Sequence, residues 1–276
     1  MDKFITSIWF EKDVNEANTF YQSIFSEYEL VLKQLLHEGQ AYESTVIYFK
    51  LYNLKIMTLG SGPFKLNENT GLFYGLDKKD ATSFDKLSVI FTKLSEGGTV
   101  IVPFAKYGER TFGKVTDKFN LTWHLGLTTE NIVKPFVMYQ NQLDDYLSIY
   151  QHIFKDLKVL ERIELNDRIQ KLEFDLFGSS ILSCEIGEEL PFSEAFSFMI
   201  ICEDQKEIDH YWKLSQFPES EACGWLKDKA GLSWQIVPRL LHEKTMQNDM
   251  ESLNKMFTVI FQMKKLIIKD LEKSLK

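Results

Sequence analysis

The sequence predicts an α+β fold in which a β-α-β-β-β unit is written four times, two units to each of two tandem domains. Three observations carry this. "DKFNLTW" at 117–123 returns as "DKAGLSW" at 228–234. "FYQSIF" at 20–25 returns as "IYQHIF" at 149–154, and "KLS" at 93–95 returns at 213–215, all in the same order. Each helix echo also follows an alternating apolar segment, "ITSIWF" or "KPFVMY", as a strand-to-helix step requires.

The first copy reads through in order. "FITSIWF" alternates as a strand, and Asp13 caps a helix to about Phe25 with Ala17, Phe20, Tyr21 and Ile24 inward. "YELVLKQLL" is the next strand, and "STVIYFKLYNLKIMTL" holds two more that turn at Tyr52 and Asn53. "GSGP" at 60–63 reads as a hairpin turn before "GLFYGL", and a helix from about Thr82 to Ser95 stops at Gly97 and Gly98. "TVIVPF", "TFGKVTD" and "LTWHLGL" close the copy, with Pro103 ending a short strand. Between the Phe25/Phe154 and Asp117/Asp228 pairs the second copy is shorter, the loss falling on loop-like "KKDATS" and "AKYGERTFG".

The expected boundaries are 1–130 and 131–240 for the two domains and 241–276 for a helical extension packed on them. In that extension Met250, Leu253, Met256, Phe257, Ile260 and Phe261 recur at helical spacing, a stripe that must cover an apolar surface. In the repeated phrase, Asn120 and Gly231 suit a positive-φ turn residue, Asp117 and Asp228 can bond back to the turn amides, and each Trp anchors the final strand.

Composition narrows the function classes. The chain has 276 residues, 44% hydrophobic and 14% aromatic, enough for two cored domains. Thirty-two Lys and Arg against 40 Asp and Glu give a charge of −8 with no long basic run, which argues against nucleic acid. No apolar run reaches the roughly 20 residues of a membrane-spanning helix, and no secretory leader is recognised. Cys184, Cys202 and Cys223 lack metal spacing and read as reduced thiols, so a cytoplasmic location is expected.

"SFMIICEDQKEIDHYWKLS", "GWLKDKAGLSWQIVP" and "MKKLIIKDLEKSL", with "IWFEKDVNEANTFYQSIF" and "GERTFGKVTDKFNLTWHL" in the first half, resemble the PhnB family, also labelled demethylubiquinone methyltransferase-like, of the vicinal oxygen chelate (glyoxalase-like) superfamily. The resemblance covers nearly the whole chain. It implies paired modules whose sheets curve into cups, and a pseudo-dimer inside one chain: a monomer, with a homodimer as the alternative.

The superfamily's metal users take ligands from the first and last strands of each module. Counted on this sequence, the first-strand places fall near Thr6 and Pro135, and the last-strand places at His124 and Gln235; Gly71, Phe198, Phe49 or Lys50, and Phe174 or Asp175 occupy the others. His124 alone is a weak metal candidate, since a divalent cation needs at least three converging donors. No cofactor is therefore expected.

The methyl transfer in the family label has no glycine-rich strand-to-helix turn to support it, and no hydrolase elbow, metalloprotease or phosphate-loop motif is present. The acidic clusters around Glu68, at Glu188 and Glu189, and in "CEDQKEID" read as solvated loops and a helix start; Arg110 and Arg162 are the cations able to clamp an anion.

The leading expectation is a binding protein whose cups, lined by Trp9, Phe10, Phe49, Trp123 and His124 and by Phe174, Trp225, Trp234 and Gln235, hold a small, partly apolar ligand without metal. One alternative is a metal-dependent lyase, isomerase or dioxygenase recruiting His124 with Glu173, Asp175 or Glu185. Another is a ligand-free scaffold for a protein partner.

Overall fold

The computed structural model describes residues 2–36, 43–165, 168–187 and 190–276. Four units follow one another. The first is β1 Phe4–Trp9, α1 Val14–Ile24, β2 Glu29–Leu36, β3 Ser44–Leu51 and β4 Leu54–Leu59; the second is β5 Thr70–Asp77, α2 Ser83–Ser95, β6 Thr99–Tyr107, β7 Arg110–Thr116 and β8 Thr122–Thr128. The third is β9 Ile132–Tyr139, α3 Leu143–Ile153, β10 Lys158–Leu165, β11 Arg168–Leu176 and β12 Ser179–Glu185. The fourth is shorter: β13 Phe196–Cys202, α4 Gln205–Tyr211, β14 Trp225–Lys227 and β15 Ser233–Pro238. Helices α5 Arg239–Met246, α6 Met250–Ile260 and α7 Ile268–Ser274 end the chain.

Local chemistry sets these bounds. Asp13 accepts from the Asn15 amide at the start of α1, and Asp204 accepts from the Glu207 amide at the start of α4. Tyr52 takes positive φ at the β3–β4 turn, and Asn120 and Gly231 take it in the two tight turns, as the sequence requires. Pro103 lies inside edge strand β6 rather than at its end; the ladder to β7 shifts register between Val102 and Ala105, a break that accommodates a residue with no N–H.

The sheets are shared between the copies. One has seven strands in the order β14-β15-β13-β1-β4-β3-β2, and the other eight in the order β10-β11-β12-β9-β5-β8-β7-β6. The first unit therefore joins the fourth, through antiparallel β1 and β13, and the second joins the third, through antiparallel β5 and β9. Each copy gives one unit to each sheet, a two-domain arrangement with the form of a dimer inside one chain.

Helices α1 to α4 lie between the sheets. Tyr21 of α1 meets Phe10 of the seven-stranded sheet at 6.2 Å and Trp123 of the eight-stranded sheet at 5.5 Å. Tyr150 of α3 likewise meets Phe174 at 6.4 Å and Trp234 at 5.8 Å. This interior is one continuous apolar cluster.

The outer faces differ. The seven-stranded sheet turns Ile5, Val46, Tyr48, Met57, Met199 and Ile201 against Leu241, Leu253, Met256, Ile260 and Leu271 of α5 to α7. The helical stripe in the sequence is thus the cover of this face, although Phe261 stays largely exposed. No described helix is long and apolar enough to cross a membrane.

Candidate functional site

Strand alternation decides which side chains reach the covered face. Phe4 and Ile8 of β1, and Phe10 just after it, enter the interior, whereas Ile5 joins the cluster under α5 to α7. The same parity sends Trp234 and Ile236 of β15 inward and turns Gln235 and Val237 outward. A cavity of about 520 Å³ remains between this face and the C-terminal helices. Its walls include Tyr48, Met57, Met199, Leu241, Phe257 and Ile260, with Trp9, Phe64 and Trp225 beside one another at one side.

Trp9 is fixed from several directions. Its ring centroid lies 6.1 Å from that of Trp225 and 5.8 Å from that of Phe64, and its Nε1 donates to the Gly60 carbonyl at 3.1 Å. Gly62 packs on the indole, where a Cβ would come within 2.5 Å of the ring. "GSGP" is therefore no hairpin turn: it begins the passage from β4 in one sheet to β5 in the other, and it seats Trp9.

The polar groups on this cavity are few. Gln235 Nε2 donates to Ser197 Oγ at 3.0 Å, and Glu194 is paired with Lys227 at 2.6 Å. Burial, assisted by the positive charge of Lys55, pushes His242 down to about 4, so its imidazole is neutral at physiological pH. Trp9, expected in one cup, and Trp225 and Gln235, expected in the other, line this single cavity together.

Other expected lining residues lie elsewhere. Phe10, Phe49, Trp123, Phe174 and Trp234 are fully buried in the interior around α1 to α4, on the strand faces opposite the cups. A period of two makes this correction general: each residue after the anchoring Trp, His124 or Gln235, faces outward because the Trp faces inward. Thr6 of β1 is buried, and Pro135 sits within β9 opposite Leu72. The sequence did not single out Tyr48, Met57, Met199 or the lining residues of α5 and α6; the signal for the helical ones was the apolar stripe itself.

His124 stands on the eight-stranded sheet, in a row with Lys114, Phe73 and Lys134. Its ring centroid is 3.9 Å from that of Phe136, and its buried Nε2 has no partner among the described residues. Burial and the charge of Lys114 push it down to about 3. A neutral imidazole is a competent metal ligand, so the remaining donors decide the matter.

They do not converge. Glu173 accepts from Lys134 at 2.6 Å and Ser180 at 2.8 Å, and stands four strands from His124, about 19 Å at ordinary strand spacing. Glu185 accepts from the amides of Leu143 and Ile169, and Asp175 from that of Gly178. Among the described residues no three His, Cys, Asp or Glu side chains gather as a metal site. The described residues do not fit a catalytic divalent ion. Arg162 is bound to Asp144 and Glu164 on an edge strand, and Arg110 is exposed, so neither faces the cavity. Glu188 and Glu189 lie outside the described residues.

Comparison with known proteins agrees with this architecture. A family model described as 3-demethylubiquinone-9 3-methyltransferase matches residues 2–126 and again 131–237. Glyoxalase I from Zea mays superposes with a TM-score of 0.64 at 11% identity, covering 89% of this chain and 96% of that one. A proposed dioxygenase from Bacillus subtilis superposes with a TM-score of 0.56 at 9% identity, covering 100% of this chain and 96% of that one. A PhnB protein from Bacillus cereus, described as a proposed 3-demethylubiquinone-9 3-methyltransferase, is 23% identical over 45% of this chain and 98% of its own, with a TM-score of 0.39. No curated protein matches the sequence. At these identities the structural likenesses speak for the glyoxalase-like fold alone. The doubled family match, over most of the chain, places the protein in the 3-demethylubiquinone-9 3-methyltransferase (PhnB-like) family, as two tandem copies.

Proposed function

We propose that the protein binds a small, largely apolar molecule in the cavity between the seven-stranded sheet and its C-terminal helices, with no catalytic metal. The observation that carries this reading is the cavity itself: about 520 Å³, walled by aliphatic and aromatic side chains with isolated polar groups, is the usual form of a small-molecule site. A filled cup would instead have favoured a scaffold. The methyltransferase label of the family is not carried over, because "GSGP" joins two strands and seats an indole rather than cradling a cofactor at a helix N-terminus.

Native mass spectrometry of the freshly purified full chain tests the reading. The expected result is a small organic adduct that is lost on denaturation and weakened by Trp9→Ala. A stoichiometric divalent ion that disappears in His124→Ala would overturn it in favour of a metal-dependent enzyme.

A further inference from the structure

We propose that this cavity selects an uncharged, elongated molecule bearing a hydroxyl, and that the hydroxyl donates its proton to the side-chain carbonyl of Gln235. The inference rests on the binding reading above and adds the chemical class of the ligand.

Charge is the first argument. Among the described residues that line the cavity, Glu194 is the one carboxylate, already engaged by Lys227 at 2.6 Å, and no Lys or Arg is present. His242 is neutral, as argued above. A carboxylate or phosphate headgroup would give up its water without meeting a cation, and an ammonium would find its only counter-charge taken. Burying an unpaired ion costs several kcal/mol, far more than an uncharged group pays.

Gln235 is the second. Gln235 is 5% exposed, and donation from Nε2 to Ser197 Oγ at 3.0 Å fixes the amide plane. No described residue donates to Oε1, which opens on the cavity rather than being sealed from it. A ligand that displaces water from this carbonyl must supply a donor in its place, and a hydroxyl does so without charge. Gln235 pairs in register with Trp225 on one side and Met199 on the other, so a hydroxyl at Oε1 places the attached apolar body against both.

Shape is the third. The lining runs from Val46 on β3 to Gln235 on β15, four strand spacings or about 19 Å apart, with Met57 and Met199 between them. A volume of about 520 Å³ spread over that span suits a long, narrow occupant.

The test uses three probes of one chain length, 1-decanol, its methyl ether and decanoate, titrated calorimetrically into the full-length protein and into Gln235→Leu at pH 7.5. The alcohol is expected to bind about 3- to 10-fold more tightly than the ether, the ratio corresponding to one net hydrogen bond, and more than 10-fold more tightly than decanoate. Gln235→Leu should make alcohol and ether equal. Equal binding of all three probes, or tighter binding of decanoate, overturns the inference and leaves the binding reading standing. A variant that keeps the full alcohol preference also overturns it, and absence of binding by every probe overturns both. Should the variant fail to fold by circular dichroism, the three-probe comparison on the unaltered chain decides.

Discussion

The indole Nε1 of Trp234 donates to Asp228 Oδ2 at 2.8 Å, deep in the interior. Trp123 makes the same bond to Asp117 at 2.9 Å, and each carboxylate also holds a helix tyrosine, Tyr150 at 2.6 Å in one copy and Tyr21 at 2.8 Å in the other. The second oxygen takes two turn amides, those of Ala230 and Leu232 or of Phe119 and Leu121. The phrase repeated in the sequence thus writes a buried carboxylate with four donors, which joins a tight turn, a strand and a helix. Its role is structural.

Asp228→Asn should therefore destabilise the chain by about 2–3 kcal/mol, because an amide that still accepts from the two turn amides presents N–H groups to the Trp234 N–H. Tyr150→Phe removes a donor without creating that conflict and should cost about 1 kcal/mol. Urea denaturation of the two variants measures the difference, and equal losses would contradict the four-donor account.

The same carboxylate predicts a pH dependence. Burial raises Asp228 from an ordinary value of 3.8 to about 6, against the lowering effect of its donors. Between these values the folded state holds a proton that the unfolded state has released, so this group's contribution is largest below about pH 4 and declines as pH rises through about 6. The stability lost on Asp228→Asn should accordingly be larger at pH 4 than at pH 7, with the change falling between about pH 4 and pH 6. Paired denaturation curves across that range would show it; a difference that grew with pH would reverse the sign of the argument.

The repeat was legible because local chemistry repeats with it: Asp, a positive-φ turn and Trp must recur at fixed spacing for the buried network to form twice. Which units share a sheet was not legible. The strand patterns of β1 and β5 are compatible with either partner, and the choice of β13 for one and β9 for the other is made by long-range packing. Aromatic character alone suggests two cup linings, but strand parity turns Phe10, Phe49, Trp123, Phe174 and Trp234 into the interior and leaves Trp9, Trp225 and Gln235 on one cavity. The stripe on α6 declared that it covers something apolar without naming that surface, since periodicity specifies a face and not its partner.

Leu253 lies on that stripe and is 0% exposed beneath the seven-stranded sheet. Leu253→Ala should lose about 2–5 kcal/mol as a large-to-small change at a packed site. It should also increase fluorescence of an apolar dye such as anilinonaphthalene sulfonate, because loosening α6 uncovers the cavity wall. Helix α6 can be probed directly by amide hydrogen exchange, which should accelerate there before it does in α1 or α3. Uniform acceleration throughout the chain would show that the C-terminal helices are part of one cooperative core.

Gly62→Ala separates the cavity from global stability. The new Cβ would lie 2.5 Å from the Trp9 ring, so the indole must move away from its contacts with Phe64 and Trp225. Gly62 has no positive φ, so the substitution brings no intrinsic backbone strain. The expected outcome is a shift in tryptophan emission and a several-fold loss of affinity for an apolar probe such as 1-decanol, with a destabilisation of about 1–3 kcal/mol from overpacking. Gly71→Ala supplies the contrast: its Cβ would meet the Thr122 carbonyl oxygen at 2.1 Å in the middle of the eight-stranded sheet, where only backbone can yield. That variant should lose more stability than Gly62→Ala while any folded fraction keeps its probe affinity, because the cavity belongs to the other sheet. If the two variants weakened binding equally, Trp9 would not be the wall that shapes the site.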